Sequence, residues 1–201
     1  MSGERVAETR PADAARSFRH YAHRLTAALE AVNDRDYEAV ARCLMQARSR
    51  RATVFVAGNG GSAATASHWV SDLRTAATDE GTPVHAVSLT DNTSVLSALA
   101  NDHGFEWVFS RQLRSLARPH DVLVVVSVSG RSPNLVRAVE QARAIGMETI
   151  GLLGGDGGDL VTLVDHAVLV SPAKLTYGLV ESAHVVLADA LAEHLRYAGR
   201  P

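Results

Sequence analysis

Cysteine occurs once among the 201 residues, at Cys43. That excludes an internal disulfide and a zinc cluster built on several cysteines. Neither sign of charge dominates: 20 Lys and Arg stand against 22 Asp and Glu, a formal net charge of −2. No polyanion-binding surface is implied, so direct contact with nucleic acid is not expected. No apolar run approaches the ~18–20 residues of a membrane span. The longest, DVLVVVSVSG, reads as a buried strand from its length and β-branching. The first twenty residues, MSGERVAETRPADAARSFRH, are charged and hold no apolar core of a signal peptide. Internal repeats and low-complexity tracts are lacking as well. The expectation is a cytoplasmic protein with no membrane association. What is present, 46% hydrophobic and 21% charged residues, is ordinary for a globular chain, and the length suits one α/β domain.

Residues 1–12 are polar and are expected to form a disordered tail. From Asp13 the apolar positions Phe18, Tyr21, Leu25, Leu29 and Val32 recur at threes and fours, which predicts a helix. Asn33-Asp34 breaks it, and a second helix runs from about Asp36 towards Arg48. This N-terminal pair, within 13–50, covers one face or edge of a sheet, or also makes an oligomer contact. Strands are then predicted at 53–57, 84–89, 122–128, 148–153 and 166–170. Helices are predicted at 62–77, 92–100, 105–117, 132–145 and 177–197, with a short turn near 157–164. Near-continuous Val/Ile/Leu strands between amphipathic helices indicate a parallel five-stranded sheet covered on both faces, an α-β-α sandwich.

The stretch GNGGSAATASHW, residues 58–69, joins the first strand to a helix. Backbone N–H groups of such a loop, at a helix N-terminus, favour an anion, usually phosphate. A P-loop needs Gly-Lys-Ser/Thr, and here Gly61 is followed by Ser62-Ala63. Gly58, Gly60 and Ala63 do fit a dinucleotide fingerprint. However, Asp79 and Glu80 precede the second strand and Asp91 comes much too late for the ribose-binding acid, so no nucleotide cofactor is expected. A second loop, SVSGRSPN at 127–134, ends the third strand with Ser127, Ser129, Ser132 and Asn134. Ser132 occupies an N-cap position before Pro133. A lone serine loop is as readily a turn and a helix cap. Paired with the glycine loop, it offers many neutral hydrogen bonds to a small phosphorylated polyol. His68 and Asp72, four apart, share a helix face on the helix that the glycine loop opens. That pair can hold a metal or set an acid beside a base.

The segments VFVAGNGGSAATASHWVSDL, ANDHGFEWVF, SVSGRSPNLVRAVEQARAIGMETIGLLGGDGG and VESAHVVLADALAEHL, in this order, resemble the sugar isomerase (SIS) domain. More narrowly they are similar to the phosphoheptose isomerases, which interconvert sedoheptulose 7-phosphate and a heptose 7-phosphate. The resemblance implies a phosphate held by Ser62, Ser127, Ser129 and Ser132 with the backbone of Gly60 and Gly61, and sugar hydroxyls held by Asn59 and Asp102. It implies a homotetramer with sites at subunit interfaces. In that family a histidine and a glutamate on the first helix, and a glutamine and a histidine on the last, bind zinc in some members, and the glutamate and second histidine are the proposed proton-transfer pair. Carried over, the four positions are His68, Asp72, Glu181 and Asp189, so three of the four depart from the family. One imidazole with three carboxylates suits Mg²⁺ or Mn²⁺ as well as Zn²⁺. Without a metal, clustered carboxylates repel and one is expected to hold a proton, as a general acid must.

On this reading Asp72 is the base, His68 orients it or binds the metal, and Asp189 or Glu181 is the acid. Residues 181 and 189 lie ~12 Å apart along a helix, so one ion touches both only from between them or with ligands from a neighbouring subunit. The alternative is a non-catalytic SIS protein that binds sugar phosphate or another protein, including the type associated with a replication initiator. His184 and His194 are read as packing or surface residues, and His85 and His166 as structural. Arg131 either touches phosphate or faces solvent, and Tyr177 has no firm role.

Overall fold

A computed structural model of the protein describes residues 11–75, 83–174 and 176–197. The chain begins with two helices, α1 (Pro11–Glu30) and α2 (Asp34–Ser49), and then alternates. The order is β1 (Thr53–Gly58), α3 (Gly61–Thr75), β2 (His85–Ser88), α4 (Thr93–His103), a 3₁₀ turn (Phe105–Trp107), α5 (Ser110–Leu116), β3 (Val122–Ser127), α6 (Pro133–Ile145), β4 (Glu148–Gly154), α7 (Leu160–Leu163), β5 (His166–Val170) and α8 (Tyr177–Tyr197). The five strands form one sheet in the order β2-β1-β3-β4-β5, and every pairing is parallel. Strand order reverses between β1 and β3, the point at which open α/β sheets leave a crevice beyond the strand tips. Among the described residues no helix is long and apolar enough to cross a membrane.

The sheet is sandwiched because its central strands have no polar face. Every residue of β3, VLVVVS, is buried. Alternate side chains serve opposite layers. Val54, Val56, Val124, Ile150 and Val168 pack under α2, α3 and α8, with Leu25 and Leu29 of α1 behind them. Phe55, Ala57, Leu123, Val125 and Leu153 pack with Leu113, Leu135 and Leu160 of α5, α6 and α7. Burying each such side chain contributes about 1.5–3 kcal/mol. Helix ends follow local chemistry. Asn33 caps α2 by accepting from the Arg35 and Asp36 amides. Pro133 opens α6, and Gly146, at φ +88°, closes it.

Two expectations need correction. The helix predicted over 105–117 is interrupted: a 3₁₀ turn precedes α5, and Trp107 lies under the Arg137 guanidinium, 4.0 Å from the ring centroid. A contact across elements here overrides an apolar periodicity that suits a continuous helix. The expected tail of 1–12 overlaps α1, which starts at Pro11, a residue suited to a first helical turn. Residues 1–10 lie outside the described residues, as do 76 and 77 of the helix predicted to end there.

Candidate active site

Beyond the tips of β1 and β3, a cavity of about 90 Å³ is lined by Asn59, Ser62, Ser127, Ser129, Ser132, Tyr177 and Glu181, over Val126, Val128 and Leu135. The glycine loop builds one wall. Gly60 has φ +55°, and Gly58 passes so close to Ser62 that a Cβ there would stand 2.5 Å from the Ser62 carbonyl oxygen. Only glycine makes so tight an entry into α3. The serine loop builds the other wall. The Ser127 hydroxyl accepts the Gly130 amide at 3.0 Å, closing the turn. Gly130, at φ +64°, leans on the 154–158 loop, where a Cβ would overlap the Gly157 carbonyl oxygen. Ser132 holds the N-cap position of α6 but makes no side-chain capping bond, which leaves its hydroxyl to the cavity.

The two walls are tied together. The Asn59 amide donates to Asn134 Oδ1 at 2.9 Å, and the Asn134 amide donates back to Asn59 Oδ1 at 2.9 Å. Asn134 is buried, so this reciprocal pair satisfies groups that would otherwise be costly to bury. Arg131 turns away from the cavity to Asp156, 2.6 Å away, and to the Ser129 carbonyl. The Arg131 guanidinium, by hydrogen bond first, holds the Asp156 carboxyl below its ordinary range.

A larger groove, about 520 Å³, runs along α3 and α8 past Gly61, Ala64, Thr65, His68, Glu181, Ser182 and Val185, with Tyr21 of α1 and Gly178 closing it. Glu181 lines both cavities. Its carboxylate lies where a Cβ on Gly61 would be, so a side chain at 61 would push the Glu181 carboxylate aside. The Tyr21 hydroxyl donates to the Gly178 carbonyl at 2.8 Å and lies 2.8 Å from the Ser182 hydroxyl. Deeper along the same two helices, His68 Nε2 stands 3.3 Å from Asp72 Oδ2. One ligand atom each from His68, Asp72 and Asp189 lies within 4.8 Å of the others.

The residues predicted from sequence therefore divide. Asn59, Ser62, Ser127, Ser129 and Ser132 line one cavity, with Gly60 and Gly61 in its entry loop. Asn59 spends its amide on Asn134, a pairing the sequence did not suggest. His68, Asp72 and Asp189 come together, but Glu181 is not in that group. Residues 181 and 189 are eight positions apart on α8, so Glu181 lies towards the loop end of the groove and Asp189 towards His68 and Asp72. Asp102 is exposed in the last turn of α4, where it accepts from the Asn101 amide, and it lines neither cavity. Tyr21, in the groove wall, carried no sequence signal beyond its helical periodicity. His194 faces α2, in a separate hollow with Tyr37 and Met45. His184 is fully buried with neither ring nitrogen hydrogen-bonded. Burial pushes its pKa down to about 4, and the Leu153 backbone only partly opposes this.

The SIS domain family matches residues 17–154. A phosphoheptose isomerase from Geotalea daltonii is 42% identical over 157 residues, spanning 78% of this chain and 81% of that protein. One from Nitratidesulfovibrio vulgaris is 38% identical over 155 residues, spanning 77% of this chain and 73% of that protein. Among solved structures, a phosphoheptose isomerase from Neisseria gonorrhoeae superimposes with a TM-score of 0.80 at 32% identity, covering 90% of this chain and 96% of that one. With its parallel sheet in the order 2-1-3-4-5 and its paired loops at the switch point, the chain belongs to the SIS domain family and, within it, to the phosphoheptose isomerase group.

Proposed function

We propose that the protein is an aldose–ketose isomerase of sugar phosphates, converting sedoheptulose 7-phosphate to a heptose 7-phosphate or acting on a related long-chain sugar phosphate. The observation that carries this reading is the cavity shared by Ser62, Ser127, Ser129 and Ser132, joined through Glu181 to the groove that leads to His68. Four hydroxyls, glycine-loop amides and the N-termini of α3 and α6 suit a phosphate dianion. From Gly61 to His68 the helix advances ~10 Å, a reach suited to a long carbon chain held by its phosphate. Its C1–C2 end would then lie near Asp72 and Asp189.

Asp72 takes the proton between C1 and C2, with His68 orienting it at 3.3 Å. Asp189, on the facing helix, donates to the carbonyl oxygen as the enediol forms, and Glu181 stands nearer the phosphate end. His68, Asp72 and Asp189, an imidazole and two carboxylates, are a donor set suited to Mn²⁺, Mg²⁺ or Zn²⁺. A bound ion would supply polarisation of the carbonyl. The expected homotetramer would bring Asp102, which lines neither cavity of its own chain, to a neighbour's site. A cytoplasmic location suits a phosphorylated substrate.

The test is incubation with sedoheptulose 7-phosphate, with and without Zn²⁺, Mn²⁺ or Mg²⁺, following aldose formation. Aldose is the expected product. The departures from the resembled family at Asp72, Glu181 and Asp189 are what favour a non-catalytic sugar-phosphate-binding protein. No aldose under any metal, with a melting temperature still raised by the sugar phosphate, would establish that second reading.

A further inference from the structure

At the opposite end of the sheet, Cys43 of α2 meets the first residues of β4 and β5. One ligand atom each from Cys43, Glu148 and His166 lies within 4.8 Å of the others. The Cys43 thiol donates to Glu148 Oε2 at 3.0 Å, while the other Glu148 oxygen takes the Arg50 guanidinium at 2.8 Å. Cys43 is buried, whereas Glu148 and His166 are half-buried, so the sulfur is the innermost member of a group whose other two side chains reach solvent. We infer that Cys43, Glu148 and His166 form a binding site for a soft or borderline divalent cation, Zn²⁺ foremost, that staples α2 to the starts of β4 and β5.

The donor set makes the choice. Thiolate and imidazole select Zn²⁺ and its neighbours over Mg²⁺ or Ca²⁺. Charge also balances: with the thiol ionised, the negative charges of Cys43, Glu148 and nearby Asp165 offset Arg50 and a divalent ion. On binding, Sγ releases its proton to solvent and takes the ion in its place. A role for Cys43 as a nucleophile or redox thiol is disfavoured, because burial, then Glu148, pushes the thiol well above its ordinary range. No local sequence signal marks this site: a single cysteine excludes a multi-cysteine cluster, and His166 reads as a strand opener. Residues 43, 148 and 166 meet only because β4 and β5 start side by side. The six-residue advance of β4 from Glu148 to Gly154 puts the site roughly 20 Å from the phosphate cavity, so the two can be tested separately.

Cobalt titration of the full chain under a phosphine reductant decides the matter. Co²⁺ bound to a thiolate gives a near-ultraviolet charge-transfer band, and with one cysteine in the chain only Cys43 can produce it. The expected result is a band saturating at one Co²⁺ per chain, displaced by Zn²⁺ and absent in Cys43→Ala. His166→Ala is expected to weaken cobalt binding at least tenfold, while isomerisation of the sugar phosphate is unchanged in both variants. Asp189→Asn should keep the band. No band in the wild-type protein, or a band whose cobalt affinity His166→Ala leaves unchanged, overturns the site, whatever the outcome of the isomerase assay.

Discussion

The cavity at the tips of β1 and β3 and the cluster along α3 and α8 are made of different materials. The first is lined mainly by neutral hydroxyls and an amide on loops whose backbone is fixed by glycine, with Tyr177 and the Glu181 carboxylate of α8 at its edge. The second is an imidazole with two carboxylates on helix faces, with His68 56% and Asp72 31% exposed as side chains. A loop built this way tolerates little change, because a Cβ at Gly58 or Gly130 would overlap backbone atoms of Ser62 or Gly157. Helix-borne side chains can be exchanged without moving the backbone. The two regions should therefore answer substitution differently.

Substitutions in the two regions put this contrast to the test. The largest effect is expected from Asp72→Asn, which should lower turnover by about 10²–10⁴-fold, the range for loss of a general base. Sugar phosphate should still raise the melting temperature of that variant, and turnover that survives would remove Asp72 from its role. Next comes Gly130→Ala. With φ +64° and the Gly157 carbonyl oxygen in the path of the added Cβ, it should cost about 2–3 kcal/mol of stability and blunt ligand-induced stabilisation, as thermal melts would read. A variant as stable as the wild type would refute the claim that the loop is rigid.

A third test uses His184. Its folded pKa, about 4, lies below the ordinary value near 6.5 of an unfolded chain. The unfolded state therefore binds the extra proton first. The stability that neutrality of His184 maintains is fully present above about pH 6.5 and is lost as pH falls towards 4, by on the order of 3 kcal/mol. His184→Leu should flatten that slope between pH 6.5 and 4 in denaturant melts, and an unchanged slope would assign it to other groups. The smallest effect is expected from Ser132→Ala. Because Ser132 makes no capping bond, stability should shift by less than about 0.5 kcal/mol. KM for the sugar phosphate should rise roughly 2–10-fold with kcat little changed, the signature of a lost uniform contact.

How much was legible in the sequence differs between these regions for physical reasons. The strands announce themselves as Val/Ile/Leu runs because both faces of the sheet are covered. The loops are legible because glycine at a strand-to-helix turn and serine before Pro133 have local causes. The broken helix after Gly104 was not, because Trp107 answers to Arg137, thirty residues away. The approach of Asp189 to His68 and Asp72 is likewise a product of helix packing: helical spacing paired only His68 with Asp72, and Asp189 entered through the family resemblance. The ~12 Å between residues 181 and 189 along one helix was legible from spacing alone, and Glu181 lies outside the group formed by His68, Asp72 and Asp189. The Asn59–Asn134 pair spans 75 positions and left no local trace.

That reciprocal amide pair has a kinetic consequence. By cross-bracing the two loops before any ligand arrives, it removes the ordering step that a mobile anion-binding loop would impose on encounter. Association of a sugar phosphate should then proceed in a single phase whose rate rises linearly with ligand concentration, with no plateau from a preceding conformational change.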